Sequence, residues 1–403
     1  MGLTSAELSK KLEEISKVLE TKYAETMHLG VFNGISGISL FFFYYSKYRD
    51  VNTYSKVGTE ILELTIERIN AGYQTPTYCS GIAGAGWIME HLHEEGFVEL
   101  DNDELLSGLD EYLYKTMKSD LEKGFYDILH GALGYGFYFL KRYKNTNSAE
   151  FKERYQGYLN TLVSGLDSLA EEDANGLKWR SVLNKETGKV GYNLSLSHGM
   201  SSIVNFLARL CQFDEFKATA LPLLRGAISY LLSKEKDHAT STLFPSTISI
   251  PETAPDDGRV SWCYGDLGLG FSLLQASEIM ENEQLATKAL RVLKHATFSK
   301  TVEECKMLDA APCHGAFGLS QIYLSLFQKT GMSEFEEAAT HWIDEGLKLA
   351  VHSDGYAGYK QYSHREGWTP ETGLLEGIAG IGLAIISYLA DFETRWDECL
   401  FIR

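Results

Sequence analysis

The chain has 403 residues, 44% hydrophobic and 23% charged, a composition that fits a globular protein with a large core and excludes disordered or collagen-like classes. Its formal net charge of −18, without clusters of Lys and Arg, argues against a nucleic-acid partner gripped through phosphates and suits basic or neutral partners. Length alone allows two or three domains, but a repeat architecture can carry a single domain across all of it.

The first twenty residues, MGLTSAELSKKLEEISKVLE, lack the apolar centre of a signal peptide and predict an amphipathic helix, with Thr4 and Glu7 as a capping box. Apolar runs such as Ile38 to Tyr45 fall far short of the roughly 20 residues that cross a bilayer, so no transmembrane segment and a cytoplasmic location are expected. From position 33 onward one pattern recurs seven times: a small or polar residue, Gly, two residues, usually a second Gly, then an apolar helical run. The copies are Asn33-Gly34 with Gly37, Ser80-Gly81 with Gly84, His130-Gly131 with Gly134, His198-Gly199 with Ser202, Tyr264-Gly265 with Gly268, His314-Gly315 with Gly318, and Glu376-Gly377 with Gly380. Successive first glycines lie between 47 residues (Gly34 to Gly81) and 68 residues (Gly131 to Gly199) apart, room for two helices and their loops.

Between the markers run stretches with helical periodicity: Ser55 to Ile69, Glu150 to Leu169, Phe216 to Leu232, Gln284 to Ala296 and Glu334 to Ala350. Each repeat therefore predicts one glycine-led apolar helix and one amphipathic helix that covers it. An open solenoid needs polar caps, yet the last marker, around Leu374 to Gly382, is as apolar as the first. The pattern predicts an all-α fold, an α/α toroid of seven helical-hairpin repeats with seven inner and seven outer helices, as one domain over residues 1–403. Two segments break the rhythm. Residues 175–193 are rich in Gly and polar side chains, and residues 241–261 contain Pro245, Pro251 and Pro255; both read as long loops or small hairpins that could build a site.

The residues just before each first glycine should face one end of the ring. In order they are Asn33, Ser80, His130, His198, Cys263 with Tyr264, Cys313 with His314, and Glu376. The six cysteines are too sparse for a disulfide framework, and two of them occupy equivalent positions in adjacent repeats. Taken singly, Cys263 and Cys313 would pass for small buried hydrophobes and His314 for a hydrogen-bonded helix start. The shared register instead predicts that Cys263, Cys313 and His314 bind one catalytic Zn2+, three protein ligands leaving a fourth position for substrate. Cys79, Cys211, Cys305 and Cys399 have no such partner and read as core or surface thiols.

Trp262-Cys263-Tyr264-Gly265 followed by Cys313-His314-Gly315, within seven repeats that span the chain, resembles the lanthionine synthetase C-like (LanC) cyclases. That resemblance implies a toroid with a central zinc on Cys263, Cys313 and His314. It implies Michael addition of peptide cysteine thiols to dehydroalanine or dehydrobutyrine, closing lanthionine and methyllanthionine thioether rings. It also implies catalytic roles for Asp127, after Tyr126, for His198 at the fourth marker, for Arg259 four residues before Cys263, and for Tyr264. The implied substrate is a dehydrated precursor peptide, with a lanthipeptide dehydratase and a transporter as companions and a peripheral place at the membrane through such a complex. Ser202, where a second glycine is expected, departs from the repeat pattern and bears on helix packing.

The residue types suit that chemistry. A free thiol has a pKa of about 8.5, and zinc coordination deprotonates it. Two thiolates and an imidazole leave the metal formally neutral, so a third thiolate keeps its nucleophilicity. Addition builds an enolate that needs charge stabilisation and a proton at its α carbon. His198 suits the proton donor, Arg259 could steady the enolate or orient Asp127, and Asp127 could accept the thiol proton or hold the His198 tautomer. By residue type alone Asp127 could also cap a helix, Arg259 could lie on the surface, and Tyr264 could simply pack. His130 reads as structural or substrate-lining. Three other functions remain open. One is a LanC-like addition of glutathione or another separate thiol to dehydrated residues. Another is a glycoside hydrolase using Asp127 and Glu376, which leaves the cysteines unexplained. The third is a peptide-binding scaffold with structural zinc.

Overall fold

Every helix start leaves backbone N–H groups without an intrahelical acceptor, and side chains at the cap usually satisfy some of them. The outer helices α5 (Asn102–Glu122), α7 (Ala149–Leu169) and α11 (Glu283–Ala296) follow that rule through Asp101, Ser148 and Asn282, whose side chains accept from Glu104, Phe151 and Leu285. The glycine-led helices do it differently. In α4 (Ile82–Glu94) the amides of Ile82 and Ala83 donate to the carbonyls of Thr75 and Pro76, both at 3.0 Å, so the incoming loop folds back as the cap. The same return contact joins Ile35 to His28, Ala132 to Phe125 and Ile378 to Glu371. A Cβ on Gly81 would lie 2.2 Å from the Thr75 carbonyl oxygen, and one on Gly84 would lie 1.9 Å from that of Tyr78. Both glycines of the marker are thus demanded by a carbonyl pressed against the helix start. In the fourth repeat Ser202 has a Cβ and turns its Oγ back to donate to the Gly199 carbonyl at 2.6 Å.

The computed structural model describes residues 5–236, 242–251, 258–363 and 365–403, so Thr4 of the expected capping box and Pro255 lie outside the described residues. Among the described residues there are fourteen α-helices, alternating outer and inner as the repeats require. Gly34, Gly81, Gly131, Gly199, Gly265, Gly315 and Gly377 cap, in order, α2 (Ile35–Arg49), α4, α6 (Ala132–Asn145), α8 (Met200–Leu210), α10 (Asp266–Ile279), α12 (Ala316–Thr330) and α14 (Ile378–Leu389). These seven are buried nearly all round. The remaining outer helices are α1 (Ser5–Lys22), α3 (Asn52–Asn70), α9 (Asp214–Leu232) and α13 (Ser333–Lys348). They bury one stripe, as α11 does with Leu285, Ala289, Val292, Leu293 and Ala296. No described helix is long and apolar enough to cross a membrane.

The chain divides into two compact units. The first unites residues 1–100 with 307–403 and contains α1 to α4 and α12 to α14. Within it the last repeat packs on the first: α14 lies against α2 and α1, and the Leu374 and Leu375 amides donate to the Phe32 carbonyl at 2.8 and 3.2 Å. Neither of these repeats presents an uncapped end to solvent, in keeping with the apolar sequence of both. A two-stranded hairpin, β5 (Gln361–Ser363) with β6 (Gly367–Thr369), precedes the seventh marker; its numbering follows the four strands below.

The second unit, residues 101–306, contains α5 to α11 and a feature the sequence analysis did not anticipate. Instead of two separate loops or hairpins, β1 (Ala170–Asp173), β2 (Gly176–Asn184), β3 (Lys189–Asn193) and β4 (Thr247–Ser249) form one antiparallel sheet in that order. Segment 241–261 contributes the edge strand β4 to segment 175–193. Trp179 on β2 is fully buried and donates its indole N–H to the Leu166 carbonyl at 2.8 Å, which fastens the sheet to α7.

Candidate active site

In the second unit, the loops before the third, fourth and fifth markers bring several predicted residues together. Tyr126 is buried, and its hydroxyl meets the Trp179 carbonyl at 3.2 Å and Ser181 Oγ at 2.5 Å, which anchors the third marker loop to β2. Asp127 follows. Its Oδ1 accepts from the Leu129 and His130 amides, each at 2.7 Å, and its Oδ2 lies 2.5 Å from His198 Nδ1. A carboxylate only accepts, so His198 Nδ1 carries the proton and Nε2 faces away from the pair. Burial alone would raise the Asp127 carboxyl, but the His198 hydrogen bond and charge outweigh it and hold the group below its ordinary range. For His198, desolvation pulls the imidazole down while the Asp127 bond and charge push it up, and the net shift is upward.

His198 is flanked by two rings, His130 at 6.3 Å and Tyr264 at 6.1 Å between centroids. His130 thus belongs to the same cluster. The backbone holding this cluster is continuous with the fifth marker: the Ser197 amide and hydroxyl donate to the Cys263 carbonyl at 3.3 and 3.1 Å. Cys263 is buried, with its Sγ 3.4 Å from Ser261 Oγ. Arg259 is only half-buried, and among the described residues its side chain makes no hydrogen bond to Asp127 or His198. Its carbonyl is what presses on Gly265, where a Cβ would lie 1.7 Å from the oxygen and φ is 92°.

In the first unit, the Cys313 amide donates to the Leu375 carbonyl at 2.9 Å, and Cys313 and His314 are both partly exposed. His314 Nε2 lies 3.1 Å from Oδ2 of Asp309, which is 1% exposed. Asp309 was not singled out by the sequence analysis. Its signal is positional, since it lies six residues before its marker glycine, the offset that Asn193 and Arg259 occupy in the two preceding repeats. A cavity of about 580 Å³ in this unit is lined by Asn33 and Glu376, two of the predicted marker residues, together with Gln361, Glu366 and Glu371.

All six cysteines are free thiols. Burial pushes Cys211 up to about 11 and Cys305 up to about 12, which makes both poor nucleophiles and metal ligands at neutral pH. Cys263, Cys313 and His314 offer two thiols and an imidazole, a borderline-soft donor set that could hold a metal ion and that suits zinc.

Residues 25–401 match the family described as lanthionine synthetase C-like protein. The nisin biosynthesis protein NisC of Lactococcus lactis subsp. lactis is 24% identical over 393 residues, covering 92% of this chain and 88% of its own. The solved structure of a nisin cyclase superposes with a TM-score of 0.73 at 19% identity, covering 98% of both chains. The shared fold is the α/α toroid that the seven repeats predict.

Proposed function

Because the chain belongs to the lanthionine synthetase C-like family, we propose that it is a zinc-dependent lanthipeptide cyclase, with residues 1–403 acting as one catalytic domain. The observation that carries the proposal is the 2.5 Å contact between His198 and Asp127 in a chain that also offers the Cys263, Cys313 and His314 donor set. In this reading those three residues hold the zinc. A metal held there would supply the positive charge that lowers the pKa of a cysteine thiol toward its nucleophilic thiolate form.

The remaining work falls to the protein's own groups. Asp127 keeps its negative charge and fixes the proton of His198 on Nδ1, so Nε2 is the atom that exchanges protons with substrate. With its pKa raised, His198 can present an N–H there and deliver the proton to the α carbon once the thiol has added. Tyr264, beside His198, is suited to donate a hydrogen bond to the developing enolate oxygen, and Arg259 supplies positive charge from the same marker loop. The substrate is a precursor peptide whose Ser and Thr have been dehydrated, which requires a dehydratase upstream; a transporter for the product and a cytoplasmic site of action complete the proposal.

The test is to incubate the purified protein and its Cys263→Ala variant with a dehydrated peptide, measure metal content, and count alkylatable thiols by mass spectrometry. Cyclisation removes thiols at unchanged peptide mass, whereas addition of a separate thiol raises the mass. Stoichiometric zinc in the wild type, lost in the variant along with thiol consumption, is the expected result. Stoichiometric zinc with every peptide thiol still alkylatable would overturn the reaction while sparing the metal site.

A further inference from the structure

Asp309 is a buried carboxylate with its hydrogen-bonding capacity committed to three groups. Oδ1 accepts from the Ala311 amide at 3.0 Å, and Oδ2 accepts both from His314 Nε2 at 3.1 Å and from the Tyr362 amide at 3.0 Å. The first bond closes a turn within the marker loop, which a short polar side chain does in many loops. The other two go further. Tyr362 is the middle residue of β5, 53 positions along the chain, and its neighbour Gln361 lines the acidic cavity with Glu376. One oxygen therefore joins the imidazole of a proposed metal ligand to a strand beside the cavity.

We infer that Asp309 is the positioning residue for His314, fixing which ring nitrogen faces the metal. The inference rests on the reading of His314 as a zinc ligand and adds to it the atom that binds. An ionised carboxylate cannot donate, so the proton of a neutral His314 ring sits on Nε2, and Nδ1 carries the lone pair that a metal needs. A carboxylate behind a metal-bound imidazole also makes the ring a stronger ligand, and loss of such a partner typically costs about 10–100-fold in metal affinity. Because the Tyr362 amide shares Oδ2, the carboxylate is held from a second side and cannot swing away from the ring. Asp309 touches neither substrate nor metal in this scheme and acts through His314.

Asp309→Asn tests the assignment. If its oxygen keeps the Ala311 bond, the amide NH2 faces His314 Nε2 and the Tyr362 N–H; the ring is then driven to carry its proton on Nδ1, which withdraws the lone pair from the metal. Zinc affinity, measured by chelator competition on the full-length protein, should fall about 10–100-fold. The visible absorption of the cobalt-substituted protein should shift as well, because the imidazole ligand field weakens. Asp309→Ala should weaken zinc similarly if it folds, and the near-isosteric Asn variant decides the matter if it does not. Asp397→Asn, which disturbs a different buried carboxylate of the same unit bonded to Ser325 and Gln321, should lower thermal stability without moving zinc affinity. A folded Asp309→Asn protein with wild-type zinc affinity and an unchanged cobalt spectrum would overturn the role of Asp309 and leave the zinc ligands standing. A wild type that binds no zinc would overturn both.

Discussion

Asp127 uses its two oxygens for two different tasks. One closes the turn before α6 by accepting the Leu129 and His130 amides, which lie ahead of the Gly131 cap and so make no helix cap, and the other holds His198. Replacing His198 with Gln should lower thioether formation by about 10²–10⁴-fold, the range for removing a general acid, with zinc content unchanged. The pair also makes a spectroscopic prediction with a defined sign. Burial lowers the His198 pKa and Asp127 more than reverses this, so the ring should titrate above its ordinary 6.5, and activity should fall as pH rises through that raised midpoint. In Asp127→Asn, desolvation is opposed only by the smaller influence of Cys263, and the midpoint should fall relative to the wild type. Imidazole NMR titrations of the two proteins measure this directly, and equal midpoints would remove Asp127 from its proposed role.

Among the elements, the glycine-capped inner helices are the most exacting. Gly265 combines a carbonyl 1.7 Å from any added Cβ with a φ of 92°, so Gly265→Ala should cost about 2–4 kcal/mol through clash and backbone strain together. Gly108, exposed on the surface of the outer helix α5, has nothing within 4 Å of its missing Cβ, and Gly108→Ala should raise stability by about 0.5–1 kcal/mol. Urea unfolding of the two variants at fixed zinc loading checks both signs. If the two substitutions cost the same, the marker glycines are not held by the carbonyl contact. The same contact explains why the marker was legible in sequence. The pressing carbonyl is six residues before the first glycine in Gly81, Gly131, Gly199 and Gly265, so the constraint is local and repeats with the chain.

For the molecule as a whole, the union of the two chain ends in one unit makes the C-terminal segment part of the core. Trp396, Phe401 and Ile402 have no solvent exposure, Trp396 Nε1 bonds Ser387 Oγ of α14 at 2.7 Å, and the Arg395 amide bonds Tyr44 of α2 at 3.0 Å. Burial of each large apolar side chain is worth about 1.5–3 kcal/mol, so deleting residues 396–403 removes an amount comparable to a domain's whole stability. The truncated protein should lose amide exchange protection in α2 and α14 together, although they lie at opposite ends of the sequence. Loss confined to α14 would mean that the last repeat behaves as a solenoid end. By itself the sequence determined the seven repeats and the alternation of inner and outer helices, because each follows from periodicity or from contacts a few residues apart, and the same register is what singles out Cys263, Cys313 and His314 as the proposed metal ligands. It could not show that segments 175–193 and 241–261 share a sheet, since their short polar strands pair across an intervening α8 and α9 and carry little alternation of their own. Nor could it choose a partner for Asp127 or reveal Asp309. Asp127 and His198 are 71 residues apart and Asp309 and Tyr362 are 53 apart, and only the packing of whole helices brings such donors to one carboxylate oxygen.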